Sequence, residues 1–300
     1  MRYYIAILGI FMAAGVALAQ PHIDASPATD SSFHTVLQTI KKQHLDALPI
    51  GERTAAIGKL FLGKPYIDKS LEVGTDVNDV VCNLQGFDCV TLFENSWALS
   101  RLAKVATENK LVDLGIELRK TRYRNGMPVG FQSRLHYTSD YFYQNTKNQL
   151  LKEMTGEIGG DYAELETKKI DFMSAHRMSY KQLREDSAMV DSIKVMEARI
   201  NARGGYYYIR KENVADIESG IQTGDLIGIT TSVPGIDCSH TGIAVREKDG
   251  RIHFLHASSA AHKVIVTDVP LADYLATNNR QTGIMIYRPL EQPSTISSKP

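Results

Sequence analysis

The chain has 300 residues, 43% of them hydrophobic, and its 34 Lys and Arg residues are balanced by 34 Asp and Glu. Such a composition supports a proper core in one large domain or two small ones and excludes a largely disordered chain. It has no clustered basic face, so no nucleic-acid partner is expected, and three cysteines are too few for a disulfide scaffold.

In chain order, "MRYYIAILGIFMAAGVALAQ" joins an early arginine to an apolar run and the small-residue pattern Ala17-Leu18-Ala19. This reads as a secretory signal peptide, residues 1–19. The run is shorter than the roughly 20 residues of a spanning helix. The mature chain, 20–300, is therefore expected to be exported, with the periplasm as its compartment and no stable membrane insertion. In an oxidising compartment an odd thiol count leaves at least one cysteine unpaired; a Cys82–Cys238 disulfide would leave Cys89.

Helical spacing runs from Phe33 to Leu48, through "RTAAIGKLFLG" and again after Cys89. A middle segment, about 101–205, holds an aromatic-rich stretch and a long charged helix from Tyr180 to Ala202. From Asn201 the pattern changes to short β-rich runs, "YYYI", "DLIGIT", "SHTGIAV", "RIHFL", "KVIVTDV" and "GIMIYR", separated by turn residues. Helices first and strands afterwards give an α+β fold, helices packed on a mostly antiparallel sheet. The tail "QPSTISSKP" reads as loose.

"GFDCVTLFE" places Cys89 in the first turn of a buried helix, after a flexible Gly86 and a capping Asp88. A free thiol titrates near 8.5, and making it mainly thiolate at neutral pH requires about 2.7 kcal/mol. A helix terminus supplies about 0.3–1 kcal/mol, and Asp88 works against it. A nucleophilic Cys89 therefore requires an imidazole to form an ion pair with it. In "GIDCSHTGIAV" alternation puts Cys238, His240, Gly242 and Ala244 on one face. A two-residue turn at Asp249-Gly250 would set His256 on the opposite face from His240. A three-residue turn, Lys248-Asp249-Gly250 with Gly250 left-handed, pairs Gly242 with His256 and brings both imidazoles to one face. A Cys-His-His site thus requires the longer turn. His253 alternates away from His256 and is expected at the surface.

Taken together and in order, "FLGKPY", "GFDCVT", "GDLIGI", "SHTGIAV" and "FLHASS" resemble the NlpC-type papain-like cell-wall hydrolases from about Phe61 to Arg288. The resemblance implies a papain-like fold with Cys89 as nucleophile at a helix N-terminus, His240 as base and His256 as orienting residue. It also implies Tyr66 beside the nucleophile, aiding the oxyanion, and Asp88 flanking a substrate subsite. Two features depart from most of that family: Cys89-Val90-Thr91 in place of Cys-Ser-Gly, and a helical insertion at about 101–205 bearing "SRLHYTSDYF". Both resemble the N-acetylmuramoyl-L-alanine amidase branch, with Arg134, His136 and Tyr137 as candidate contacts to sugar or stem carboxylates.

The expected function is an exported cysteine amidase that cuts this amide bond in peptidoglycan or muropeptides through a thioester, without metal or cofactor. Cys238, His240 and His256 match no common zinc spacing. The alternatives are a D-glutamyl-diamino acid endopeptidase and a non-catalytic muropeptide-binding module; the intact cysteine and both histidines argue against the second.

Overall fold

The computed structural model describes residues 23–72, 79–104 and 110–292. The expected signal peptide and the tail beyond Gln292 lie outside the described residues. Helices α1 (Pro27–Lys42), α2 (Ile50–Lys59), α3 (Cys89–Leu102), α4 (Leu111–Arg122) and α5 (Thr138–Lys147) come first. Strands β1 (Leu151–Glu153) and β2 (Ala163–Glu166) precede α6 (Ser187–Asn201). Next come β3 (Tyr206–Arg210), β4 (Leu226–Thr231), β5 (Cys238–Arg246), β6 (Ile252–Ser258), β7 (Lys263–Val266), the short α7 (Leu271–Ala276) and β8 (Gln281–Pro289).

Among the described residues the main sheet has eight strands in the order β2-β3-β8-β4-β5-β6-β7, with β1 also on β8, and every pairing is antiparallel. The helices-then-strands order therefore gives the expected α+β architecture. Both sheet faces are covered: β4 and β6 bury every residue, as continuous apolar runs do when neither face meets water. One face carries Ile243, Val245 and Leu255 against Trp97 and Phe93 of α3, and the other carries Ile229, Ala244 and Phe254 against Leu271 and Leu275 of α7.

The central helix α3 is buried on all sides, so its polar residues find partners internally. Glu94 meets Arg122 at 2.8 Å, each side chain 1% exposed, and Arg122 also donates to Val81 O at 2.7 Å. Removing one member would leave the other charge stranded, which typically costs about 3–5 kcal/mol. This pair fixes α3 to α4.

The segment 101–205 is not only helical. It has its own apolar cluster, with Phe131, Leu183, Ile193 and Met196, but it also lends β1 and β2 to the sheet. The helix expected from Tyr180 to Ala202 is broken: one turn, Lys181–Arg184, stops, and Asp186 caps the start of α6 by accepting Met189 N–H at 3.0 Å.

Two one-residue events set which side chains share a face. The β5–β6 register runs from Arg246↔Ile252 to Ile243↔Leu255, and one further step sets Gly242 opposite His256. Glu247 N–H donates to Arg251 O at 3.0 Å, closing a three-residue turn with Gly250 at φ +79°, the turn that a shared face for the imidazoles requires. On the other edge of β5, Ile229 pairs with His240 and Thr230 with Cys238, so Ser239 bulges out. The extra residue reverses parity. Cys238 therefore joins the α3 side and not the face of His240, contrary to plain alternation. No disulfide joins Cys82 to Cys238 among the described residues, so the considered bridge is not formed.

His253 is 6% exposed and not at the surface, because both sheet faces are covered. Its Nδ1 lies 2.7 Å from Thr267 O and its Nε2 3.0 Å from Asp249 Oδ2, tying the turn to the strand after it. Burial opposes protonation, but the Thr267 carbonyl and the Asp249 carboxylate outweigh it and raise the pKa. A raised imidazole contributes its full stability below the unfolded value of about 6.5 and loses it as pH rises through the folded value. The difference in urea midpoint between the wild type and His253→Gln should therefore shrink as pH is raised from about 6 towards 9. A difference constant across that range would refute the charged contact. Among the described residues no helix is long and apolar enough to cross a membrane.

Candidate active site

Asp88 is the N-cap of α3. Its Oδ1 accepts the N–H groups of Val90 and Thr91 at 3.1 and 2.8 Å, and Asp88 N–H donates to Thr91 Oγ1 at 3.0 Å. This is a reciprocal capping box with threonine where Glu or Gln is usual, which gives Thr91 a physical purpose. Ser70 adds donations to Asp88 Oδ2 from its N–H, 3.3 Å, and hydroxyl, 2.9 Å. The flank expected of a substrate subsite is thus occupied by structural bonds. Gly86 is required for closeness and not for a left-handed turn, since a Cβ would lie 2.5 Å from Ile67 Cδ1 and 2.8 Å from Pro65 O.

Cys89 follows the cap as the first helical residue and is half-buried. Burial, then the Asp88 carboxylate, push its thiol up to about 11, while the hydroxyl and backbone N–H of Thr241 pull the other way. Thr241 follows His240 on β5, so the strand reaches the sulfur here. Its Oγ1 is buried, with the Cys89 sulfur as the group it acts on.

His240 is half-buried, with Nε2 2.6 Å from Nδ1 of His256, which is 1% exposed. The rings of Phe254 and Tyr274 pack on His256 at 4.9 and 5.3 Å. Burial lowers His240 to about 4; burial and then His240 lower His256 to about 3. Thiol and imidazoles are therefore both neutral near pH 7. The ionised sulfur expected from the sequence is not the resting form, because burial disfavours charge on each partner. At pH 7 a thiol near 11 is thiolate in roughly one molecule in ten thousand.

Tyr66 is half-buried and anchored by its N–H to His262 O at 3.0 Å. Burial, then the charges of Cys89, Asp68 and Asp88, raise its phenol to about 12, so it remains a neutral donor within electrostatic reach of the sulfur. Arg134 lies over the Phe131 ring at 5.1 Å and donates at 3.4 Å to His136 Nδ1. It forms no ion pair with the described residues, although Glu72 and Glu94 are near enough to oppose the downward pull of burial on its pKa. Burial, then Arg134, keep His136 neutral, and its Nε2 lies 2.7 Å from Phe131 O. Tyr137 does not fit the expected binding role. It is 3% exposed, and its hydroxyl donates to Glu197 at 2.7 Å and accepts Met173 N–H at 2.9 Å inside the insertion.

Sequence reasoning missed Thr241, which alternation hides on the face away from His240, and Tyr274, in a stretch with no pattern of its own. Two cavities, of about 700 and 380 Å³, are lined by residues other than these. Among the described residues no three His, Cys, Asp or Glu side chains converge as a metal site.

The fold and this cluster define an α+β protein with a capped thiol and paired imidazoles beside one sheet. The chain belongs to the AmiA-like, N-acetylmuramoyl-L-alanine amidase-like family, whose model matches residues 56–284. That agrees with the amidase branch which the Cys-Val-Thr motif and the insertion resemble. The chain is similar to an N-acetylmuramoyl-L-alanine amidase from Bacteroides uniformis ATCC 8492, with 34% identity over 80% of this chain and 99% of that one and a TM-score of 0.72. It is also similar to a protein called a putative xylanase from Bacteroides fragilis, at 32% identity over 77% and 98% of the two chains and a TM-score of 0.68. A Legionella pneumophila protein of the DUF1460 family shares the fold at 24% identity, 89% and 96% coverage and a TM-score of 0.65. No curated protein matches the chain.

The electrostatics make a direct prediction about the thiol. Alkylation of Cys89 by iodoacetamide, followed on its own peptide, should be slow at neutral pH and rise towards about 11. Asp88→Asn keeps a capping oxygen but removes the charge, and should shift that rise to lower pH. A wild-type titration centred below neutral pH would mean a preformed thiolate–imidazolium pair.

Proposed function

We propose that the chain is an exported cysteine amidase of the NlpC-type, papain-like kind, which hydrolyses the N-acetylmuramoyl-L-alanine bond of peptidoglycan or its muropeptides. The reading takes residues 1–19 as signal peptide, 20–300 as one catalytic domain and the periplasm as the compartment. The observation that carries it is a half-buried Cys89 opening a capped helix, touched by the residue next to His240, with His240 held by His256 at 2.6 Å.

In this mechanism Sγ attacks the lactyl carbonyl carbon as its proton passes to His240 Nδ1, so charge develops only in the transition state. His240 Nε2–H then donates to His256 Nδ1, which puts the His256 proton on Nε2. That nitrogen is buried and has no partner among the described residues, a cost of about 1–3 kcal/mol accepted in holding one tautomer. The oxyanion is met by Cys89 N–H and the Tyr66 hydroxyl. The C–N bond breaks as His240 returns its proton to the alanine nitrogen, leaving a thioester. Water, deprotonated by His240, attacks the thioester and restores the thiol with release of the carboxylate. Arg134, with His136 steadying it, is suited to hold a stem carboxylate near the N-terminal half of α3.

A defined muropeptide should yield free sugar acid and an intact stem by mass spectrometry. His240→Ala should lose about 10²–10⁴ in kcat. Arg134→Ala should raise KM more than it lowers kcat. A cut within the stem, or unchanged substrate, would refute the assignment. Because attack requires neutral His240, kcat/KM should stay level through the neutral range and fall only as pH drops towards about 4. An acid limb near 6 to 7, the ordinary imidazole range, would contradict a buried neutral base.

A further inference from the structure

Away from Cys89, the insertion and the sheet enclose a cavity of about 380 Å³, within the range of about 300–1,000 Å³ that small-ligand sites occupy. Its wall joins α5, the segment after β2, the end of α6, β3 and β8 through Ser139, Tyr143, Lys168, Arg203, Tyr206 and Tyr287.

The wall is preorganised. Arg203 sits over Tyr143, with its guanidinium carbon 3.9 Å from the ring centroid, and it is held there by the buried Asp140, whose other oxygen takes Arg124 at 2.5 Å. Tyr287 is stacked on Phe142 at 4.3 Å. One polar group on this wall has unused capacity, Lys168. Ser139 is 7% exposed, and its N–H, at 2.6 Å, and its hydroxyl both bear on the buried Asp237 carboxylate. Lys168 is half-buried, and its ammonium donates to the Thr231 carbonyl but forms no ion pair with the described residues. The one carboxylate on the wall, Glu153, is engaged by the N–H groups of Thr155 and Gly156 at 2.6 and 3.4 Å.

Tyrosine rings and an ammonium without an ion pair in a cavity of this size suit a ring with hydroxyls and one negative charge. We propose that the cavity binds a sugar acid, a pyranose bearing a carboxylate, with Lys168 on the carboxylate and the tyrosines against the ring. The choice of N-acetylmuramic acid as probe rests on the proposed function; the cavity itself does not.

Calorimetric titration with N-acetylmuramic acid and with N-acetylglucosamine, which lacks the carboxylate, tests this. The acid should bind, and iodoacetamide modification of Cys89 should leave that binding unchanged. Lys168→Met should weaken it about tenfold or more, without changing muropeptide hydrolysis. Tyr143→Leu should weaken both sugars. Equal affinity for the two sugars, no effect of Lys168→Met in a variant with wild-type circular dichroism, or no binding of either sugar would overturn the proposal. Binding that behaves as expected in a protein unable to cut muropeptides would refute the proposed function and leave the cavity's role standing.

Discussion

Whether His240 and His256 meet depends on a single residue of turn length. A hairpin of one residue fewer would reverse every side chain of β6, and the two nitrogens now 2.6 Å apart would lie on opposite faces. Gly250, at φ +79°, makes the longer turn available without the roughly 1–2 kcal/mol that an ordinary side chain pays there. The same parity rule acts at the other edge of β5, where the bulge at Ser239 sends Cys238 into the helix-side core. The strand can therefore offer an imidazole to one face and an inert thiol to the other within three residues.

Burial dominates the chemistry of the cluster. The helix terminus favours thiolate by about 0.3–1 kcal/mol, but the residue that caps that terminus is Asp88, whose charge opposes it. Stability of α3 and ionisation of Cys89 therefore compete through one side chain. Thr241 offsets part of this, and the remainder leaves a neutral thiol, as burial leaves the imidazoles neutral. Under the proposed mechanism a neutral resting state suits a site whose charges arise only during attack, where the phenol of Tyr66 and the hydroxyl of Thr241 would gain strength as charge appears.

Much of this was legible in the sequence, and what was not has a physical reason. Strands β3 to β8 announce themselves by β-rich runs between turn residues. Strands β1 and β2 are three and four residues long and carry charges, so only their tertiary pairing makes them strands. Asp186 breaks a helical pattern that its neighbours continue, because its side chain satisfies the backbone N–H of Met189. Alternation identifies the face of His253 but not its burial, since that depends on what covers the sheet. Tyr137 finds Glu197 and Met173 as internal partners, because a tyrosine's polar end can be satisfied within the fold as readily as by a ligand. That His240 and His256 meet was readable because turn chemistry and parity are local, whereas the protonation states belong to the folded environment.

The central claim is that the sulfur of Cys89 carries the acyl group during turnover. Rapid-quench intact mass spectrometry with a muropeptide, followed by peptide mapping, tests it most directly. The account predicts a transient adduct of the mass of the N-acetylmuramoyl acyl group on the peptide containing Cys89, and none with Cys89→Ala. Turnover that persists in Cys89→Ala, or an adduct that maps to Cys238, would contradict it.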